Sequence, residues 1–121
     1  MGWMHNKILK QSVFIIAEAG VNHNGKLSLA KKLALEAKKS GADAVKFQTW
    51  NTDEIISPGT KSLKYQKENS NKNQYELAKS LELSYTQFIE LSKYCKKIKI
   101  LFLSTPDDIK SAKFLNKIQP F

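Results

Sequence analysis

The sequence predicts an α/β fold with parallel strands, and three observations predict it. Short apolar runs near residues 13–17, 44–49 and 100–104 alternate with longer segments in which apolar residues recur at spacings of three and four. The first run, Phe14-Ile15-Ile16-Ala17, has no polar alternation, as expected of a strand covered on both faces. Polar residues cluster at the ends of the runs: Glu18 and Asn22-His23-Asn24-Gly25, then Gln48, then Ser104-Thr105. Such strand ends are where α/β folds keep their chemistry.

The first strand is expected over about Val13–Ala17. Glu18 then has no solvated face, so its carboxylate must be paired, hydrogen-bonded or used. A helix is expected over about Ser28–Ser40, with Ala30, Leu33, Ala34 and Ala37 on one face and Lys31, Lys32, Lys38 and Lys39 on the other. Gly41 ends it as a C′ glycine. The second strand is residues 44–49. Residues 50–72 form a long irregular stretch, of the kind that in compact domains is a functional lid or disordered. A short helix starts near Gln74. Ser84 and Gln87 make a capping box for a helix to about Lys97, with Phe88, Leu91 and Cys95 inward. The third strand is residues 100–104, where Pro106 cannot continue the ladder. Asp107 or Asp108 caps a last helix through about Ile118.

The 121 residues suffice for one small domain with a core, and no internal repeat is present. No apolar run is long enough to span a bilayer, and the N-terminal residues 1–12 read as an extension without the apolar core of a signal peptide or a myristoylation pattern. A cytoplasmic location and no membrane partner are therefore expected. Cys95 is the only cysteine, so no intramolecular disulfide or thiolate cluster can form. Net charge is +9 and every basic residue is Lys. Nucleic-acid binding is disfavoured because the lysines scatter along helix faces and no Arg is present for bidentate contacts.

Alternation along the second strand puts Val45 and Phe47 on one face and Lys46 and Gln48 on the other. Lys46 is either a snorkelling strand residue or a compact cation for a carboxylate or phosphate. Glu18 is either a loop cap or partner for a Lys, or a working carboxylate. Ser104, Thr105 and Pro106 are either phosphate donors or a plain strand-ending turn. Taken in order, A-E-A-G-V-N-H-N-G, G-A-D-A-V-K-F-Q-T, Y-Q-K-E-N and L-F-L-S-T-P resemble the N-terminal part of the sialic acid synthase family, which includes N-acetylneuraminate, legionaminate and pseudaminate synthases. The resemblance covers nearly all of the chain from Val13 onward.

That resemblance implies that residues 13–121 are about three β/α units from the start of a TIM (β/α)8 barrel, a fold of about 250 residues. It further implies a C-terminal domain similar to antifreeze proteins and a domain-swapped homodimer. The implied reaction joins phosphoenolpyruvate to an N-acetylated amino sugar, with a divalent manganese or magnesium ion polarising the sugar aldehyde. Carried over by motif, Glu18 is the acid-base or water-orienting carboxylate, Lys46 and Thr105 hold phosphoenolpyruvate, and Gln48 faces the sugar. Asn69 is a further sugar contact. Asn22, His23 and Ser104 shape the site, and the metal ligands are expected outside this chain.

Two local departures stand out. Asp107 follows Pro106 where the family usually has Phe, and Lys99 stands where it usually has Gly. Barrels that make 3-deoxy sugar acids, and a non-catalytic binding or scaffold module, are the competing readings. As an isolated fragment the chain is expected to lack activity, because the metal ligands and part of the phosphoenolpyruvate site lie elsewhere in the family, and to self-associate, because Phe14, Ile16, Phe47, Leu101 and Leu103 cannot all be buried by three strands and their helices.

Overall fold

A computed structural model describes residues 13–56 and 73–120. Its elements are β1 (Ile16–Gly20), α1 (Leu27–Lys39), β2 (Ala44–Thr49), α2 (Thr52–Ile55), α3 (Gln74–Leu81), α4 (Tyr85–Ile98), β3 (Leu101–Pro106) and α5 (Ile109–Leu115). The strands form one parallel sheet in the order β1-β2-β3. This sheet of parallel strands alternating with helices is the α/β arrangement expected from the sequence, and it corresponds to the opening units of the (β/α)8 barrel that the family resemblance implies.

Among the described residues, helices cover one sheet face only. Ala30, Ala34 and Ala37 of α1 and Phe88, Leu91 and Cys95 of α4 pack with Val45, Phe47 and Phe102 in a single core. Small alanines let α1 approach the sheet closely, and the Cys95 thiol is pushed up to about 12 by burial, so it is a packing residue. Of the five apolar residues expected not all to be buried, Phe47 and Leu103 are buried, whereas Ile16 is 48 % exposed. For Phe47 and Ile16 the parity of each strand decides this: Phe47 points to the helices, while Ile16 points to the open face.

β1 begins three residues later than apolarity suggests, at Ile16. Asp43 Oδ2 accepts from Ile15 N at 2.8 Å, so a side chain takes the N–H of Ile15, while its carbonyl still accepts from Asp43 N and Ala44 N. α1 starts without a side-chain cap, and Gly41 beyond its end has φ +88, the left-handed turn expected of a C′ glycine. The stretch after β2 is not wholly irregular: Asn51 caps α2 by accepting from Asp53 N, and acidic Asp53 and Glu54 suit a helix start. Asn73 with Glu76, and Ser84 with Gln87, form capping boxes on α3 and α4. α4 ends at Lys99, which takes φ 61, ψ 46, the left-handed conformation a glycine would hold without strain.

Pro106 lies inside β3, paired with Thr49, contrary to the expected end at Ser104. Leu101 N and Asp107 N donate to β2 at Asp43 O and Thr49 O, so the odd-numbered amides face β2. Pro106 falls on the other parity, where β3 has no strand partner among the described residues, and its missing N–H costs no ladder bond. The N-terminal extension 1–12 and residues 57–72 of the expected irregular stretch, including Asn69, lie outside the described residues.

Candidate active site

Register brings the candidate residues together. Glu18 pairs with Lys46, Lys46 with Leu103, and Gln48 with Thr105. Parity sends Lys46, Gln48 and Thr105 to the face that the helices leave open, beside Glu18. Lys46 Nζ is 3.0 Å from Glu18 Oε2, and the two side chains are 38 % and 50 % exposed. Glu18 therefore keeps a solvated side, against the expectation of none, and is paired with a Lys, one of the alternatives the sequence left open. An apolar run suggests two covered faces, but only one is covered here.

Ser104 and Thr105 split between the two faces. The Ser104 hydroxyl is buried on the helix side, 2.6 Å from Thr49 Oγ1, and Ser104 N donates to Gln119 Oε1 at 2.9 Å. Thr105 is exposed on the open face, so its hydroxyl is the one available to a ligand. Thr49 escapes sequence reasoning as a site residue, although its alternation with Val45 and Phe47 already puts it behind Gln48.

The turn after β1 is built on His23. Its Nδ1 accepts from Gly25 N at 2.9 Å, which places the ring proton on Nε2. The ring is fully buried, tilted against Phe47, and Nε2 has no hydrogen-bond partner among the described residues. Burial lowers the His23 pKa, so the imidazole is neutral near pH 7. Asn22 is exposed on the same turn, and its N–H closes the turn onto Ala19 O at 3.1 Å. Gly25 meets α3 so closely that a Cβ would lie 2.1 Å from Ser80 O.

At the mouth of the open face, Asp108 caps α5 by accepting from Ser111 N, as one of the two aspartates was expected to do. It also accepts from Asn51 N at 2.9 Å. Asp107 is exposed, and burial together with neighbouring Asp108 raises its pKa. Trp50 is buried with Nε1 donating to Thr52 Oγ1, and Glu82 Oε1 accepts from Thr52 N at 2.7 Å, which seats α2 against the end of α3. The cap of α5 is visible in a single stretch of sequence; the Asn51–Asp108 and Thr52–Glu82 links are not, because each joins residues from different loops. Among the described residues no group of three or more His, Cys, Asp and Glu side chains could hold a metal ion, and no helix is long and apolar enough to cross a membrane.

The family model of the NeuB family matches residues 33–120. The chain is 50 % identical over 104 residues to an N,N'-diacetyllegionaminic acid synthase of Legionella pneumophila, covering 84 % of this chain and 29 % of that protein. It is 44 % identical over 110 residues to the Campylobacter jejuni protein of the same name, covering 89 % and 33 %. It superposes with TM-score 0.71 and 36 % identity on the N-acetylneuraminic acid (sialic acid) synthetase of Leptospira borgpetersenii, solved in complex with citrate, covering 89 % and 34 %. The chain thus spans about a third of the length of these relatives.

Proposed function

The chain belongs to the NeuB family, and on that premise we propose that it supplies part of a synthase site joining phosphoenolpyruvate to an N-acetylated amino sugar, giving a nonulosonic acid and inorganic phosphate. The observation that carries this reading is the 3.0 Å pair of Lys46 Nζ and Glu18 Oε2 on an open sheet face that also presents Gln48 and Thr105. Lys46 is the cation for the phosphate or carboxylate of phosphoenolpyruvate, and the Thr105 hydroxyl donates to the same anion. Gln48, next to Thr105 in register, faces the sugar. An arriving anion draws Lys46 from Glu18. As C3 of phosphoenolpyruvate bonds to the aldehyde carbon of the sugar, the carbonyl electron pair moves to the aldehyde oxygen, which takes a proton, and C2 is left electron-poor; the freed carboxylate orients the water that adds at C2 and takes its proton. The carbon–oxygen bond to phosphate then breaks.

A divalent manganese or magnesium ion belongs to the same reading and would polarise the sugar aldehyde. The described residues do not fit such a centre: they hold no cluster of ligands, and His23 turns Nδ1 to a backbone amide. A cytoplasmic homodimer completes the proposal. Since the two relatives named for N,N'-diacetyllegionaminic acid are 50 % and 44 % identical, that product is the first to assay.

The test is titration of phosphoenolpyruvate into the isotope-labelled 121-residue chain, followed by amide and side-chain chemical shifts. Shifts at Lys46, Gln48 and Thr105 that Lys46→Met abolishes are expected. An open cleft of about 800 Å³ at the other end of β3 is lined by Lys38, Lys96, Lys99 and Lys117 and serves as the internal control. Shifts confined to that cleft, or unaffected by Lys46→Met, would refute the assignment of Lys46.

A further inference from the structure

We propose that Asp108 is a positioning residue that locks the ends of β2 and β3 in the register where Gln48 and Thr105 face one ligand; the ligand in this statement rests on the function proposed above. The Asp108 carboxylate takes hydrogen bonds from two directions. Toward its own helix, Oδ2 accepts from Ser111 N at 2.9 Å and Oδ1 from Ser111 Oγ at 2.7 Å. Across the mouth, Oδ1 accepts from Asn51 N at 2.9 Å, 57 residues away in sequence. Capping α5 explains only the first direction, and Ser or Asn would serve a cap as well.

The second direction joins the loops that carry the site. Asn51 lies three residues after Gln48, and Asp108 three residues after Thr105. Past the last ladder pair, Thr49 with Pro106, Asp107 N donates to Thr49 O at 3.0 Å. β3 has no strand on its other side among the described residues, so its end is the part of the sheet most prone to fray. A carboxylate bonded to both loops opposes that fraying with a charge-assisted hydrogen bond. Its anchor is firm, because Ser111 is fully buried and its hydroxyl lies 3.0 Å from Tyr85 OH on α4. Burial alone would push the Asp108 carboxyl up, but the hydrogen bonds from Ser111 and Asn51 outweigh it and leave the pKa below the ordinary carboxylate range. The group is ionised at neutral pH.

Asp108→Asn and Asp108→Ser separate lock from cap. Each retains one oxygen for Ser111 N and leaves no second oxygen for Asn51 N. Three quantities are measured on the 121-residue chain: amide hydrogen exchange at Asp107 relative to Leu101, affinity for phosphoenolpyruvate from shifts at Thr105, and the thermal midpoint. In both variants exchange at Asp107 is expected to rise about tenfold, in line with loss of one charge-assisted bond. Affinity is expected to fall about fivefold while the midpoint stays within a few degrees, since the cap survives. Unchanged exchange in both variants would show that Asp108 only caps its helix. Faster exchange with unchanged affinity would show a lock that serves no ligand, which overturns the positioning role. If the parent chain itself does not bind phosphoenolpyruvate, the proposed function fails and the role toward that ligand falls with it, while the exchange result still decides whether the lock exists.

Discussion

Lys99→Gly should stabilise this chain, although it removes a side chain and inserts the residue that most weakens ordinary backbone. Lys99 closes α4 at φ 61, ψ 46, and an L-residue in that region carries a strain of about 1–2 kcal/mol. Glycine relieves the strain but loses about 0.5–1 kcal/mol more conformational freedom on folding. The interaction at this residue that would matter is made by its carbonyl, which accepts from Lys38 Nζ at 2.8 Å and survives the substitution. The net gain is therefore about 0.5–1 kcal/mol, or about 2–8 °C in thermal midpoint for a domain near 100 residues. Gly41→Ala is the converse perturbation. At φ +88 with nothing within 4 Å of the added Cβ, it incurs conformational strain alone and should lose about 1 kcal/mol. Thermal unfolding followed by circular dichroism reads both. A lower midpoint for Lys99→Gly, with Gly41→Ala behaving as expected, would refute the claim that strain is stored at the end of α4.

Gly25→Ala should be far more damaging than Gly41→Ala, by about 3 kcal/mol, because the new Cβ would sit 2.1 Å from the backbone oxygen of Ser80; equal urea midpoints for the two variants would contradict this. Burial lowers the His23 pKa in the folded state, so its contribution to stability is complete above the unfolded value near 6.5 and is lost as pH falls through the lowered folded value. Urea midpoints should therefore drop between about pH 7.5 and 5, and His23→Gln should flatten that slope; a slope that persists in the variant would assign it to other groups. Glu18→Gln should tighten phosphoenolpyruvate binding to the chain by a few-fold by freeing Lys46, and calorimetry showing weaker binding would mean that Glu18 positions the lysine instead of competing for it. Because Val13, Ile15 and Ile16 are 79 %, 53 % and 48 % exposed, the chain should self-associate at micromolar concentration, and sedimentation of a single monomeric species would count against it.

How far the sequence could be read depended on whether a feature was local. Ser84 and Gln87 are three residues apart, and their capping box forms as the spacing requires. The faces of β2 follow from parity alone, so Val45 and Phe47 point inward and Lys46 and Gln48 outward. The start of β1 was not legible, because apolarity by itself carries no register: Val13, Phe14 and Ile15 are as apolar as the strand that follows them, and it is Asp43, on another segment, whose side chain takes the N–H of Ile15. Pro106 looked like a terminator because the direction of each amide in β3 depends on which side β2 lies. The same limit applied to the site. Thr105 and Gln48 could each be placed at a strand end, but that they stand opposite one another, and that Glu18 reaches Lys46, depends on cross-strand pairing.

The Glu18–Lys46 pair contributes too little to stability to account for itself. Both side chains keep more than a third of their surface in water, and an exposed ion pair is worth about 0–1 kcal/mol. An apolar pair at these positions would extend the surface of Ile16 and Leu103 and, once covered, contribute more. The fold therefore gives no reason to prefer these two charges. Their partial exposure does: a fully buried pair would resist separation by several kcal/mol, whereas a pair at 3.0 Å in a half-wet cleft can exchange one partner for an incoming anion at little cost. Before a ligand binds, each charge holds the other in place on a face that the described helices do not cover. Under the proposed function, an arriving anion would take the lysine and leave the carboxylate beside it, so an interaction of small structural value is the one best suited to be broken.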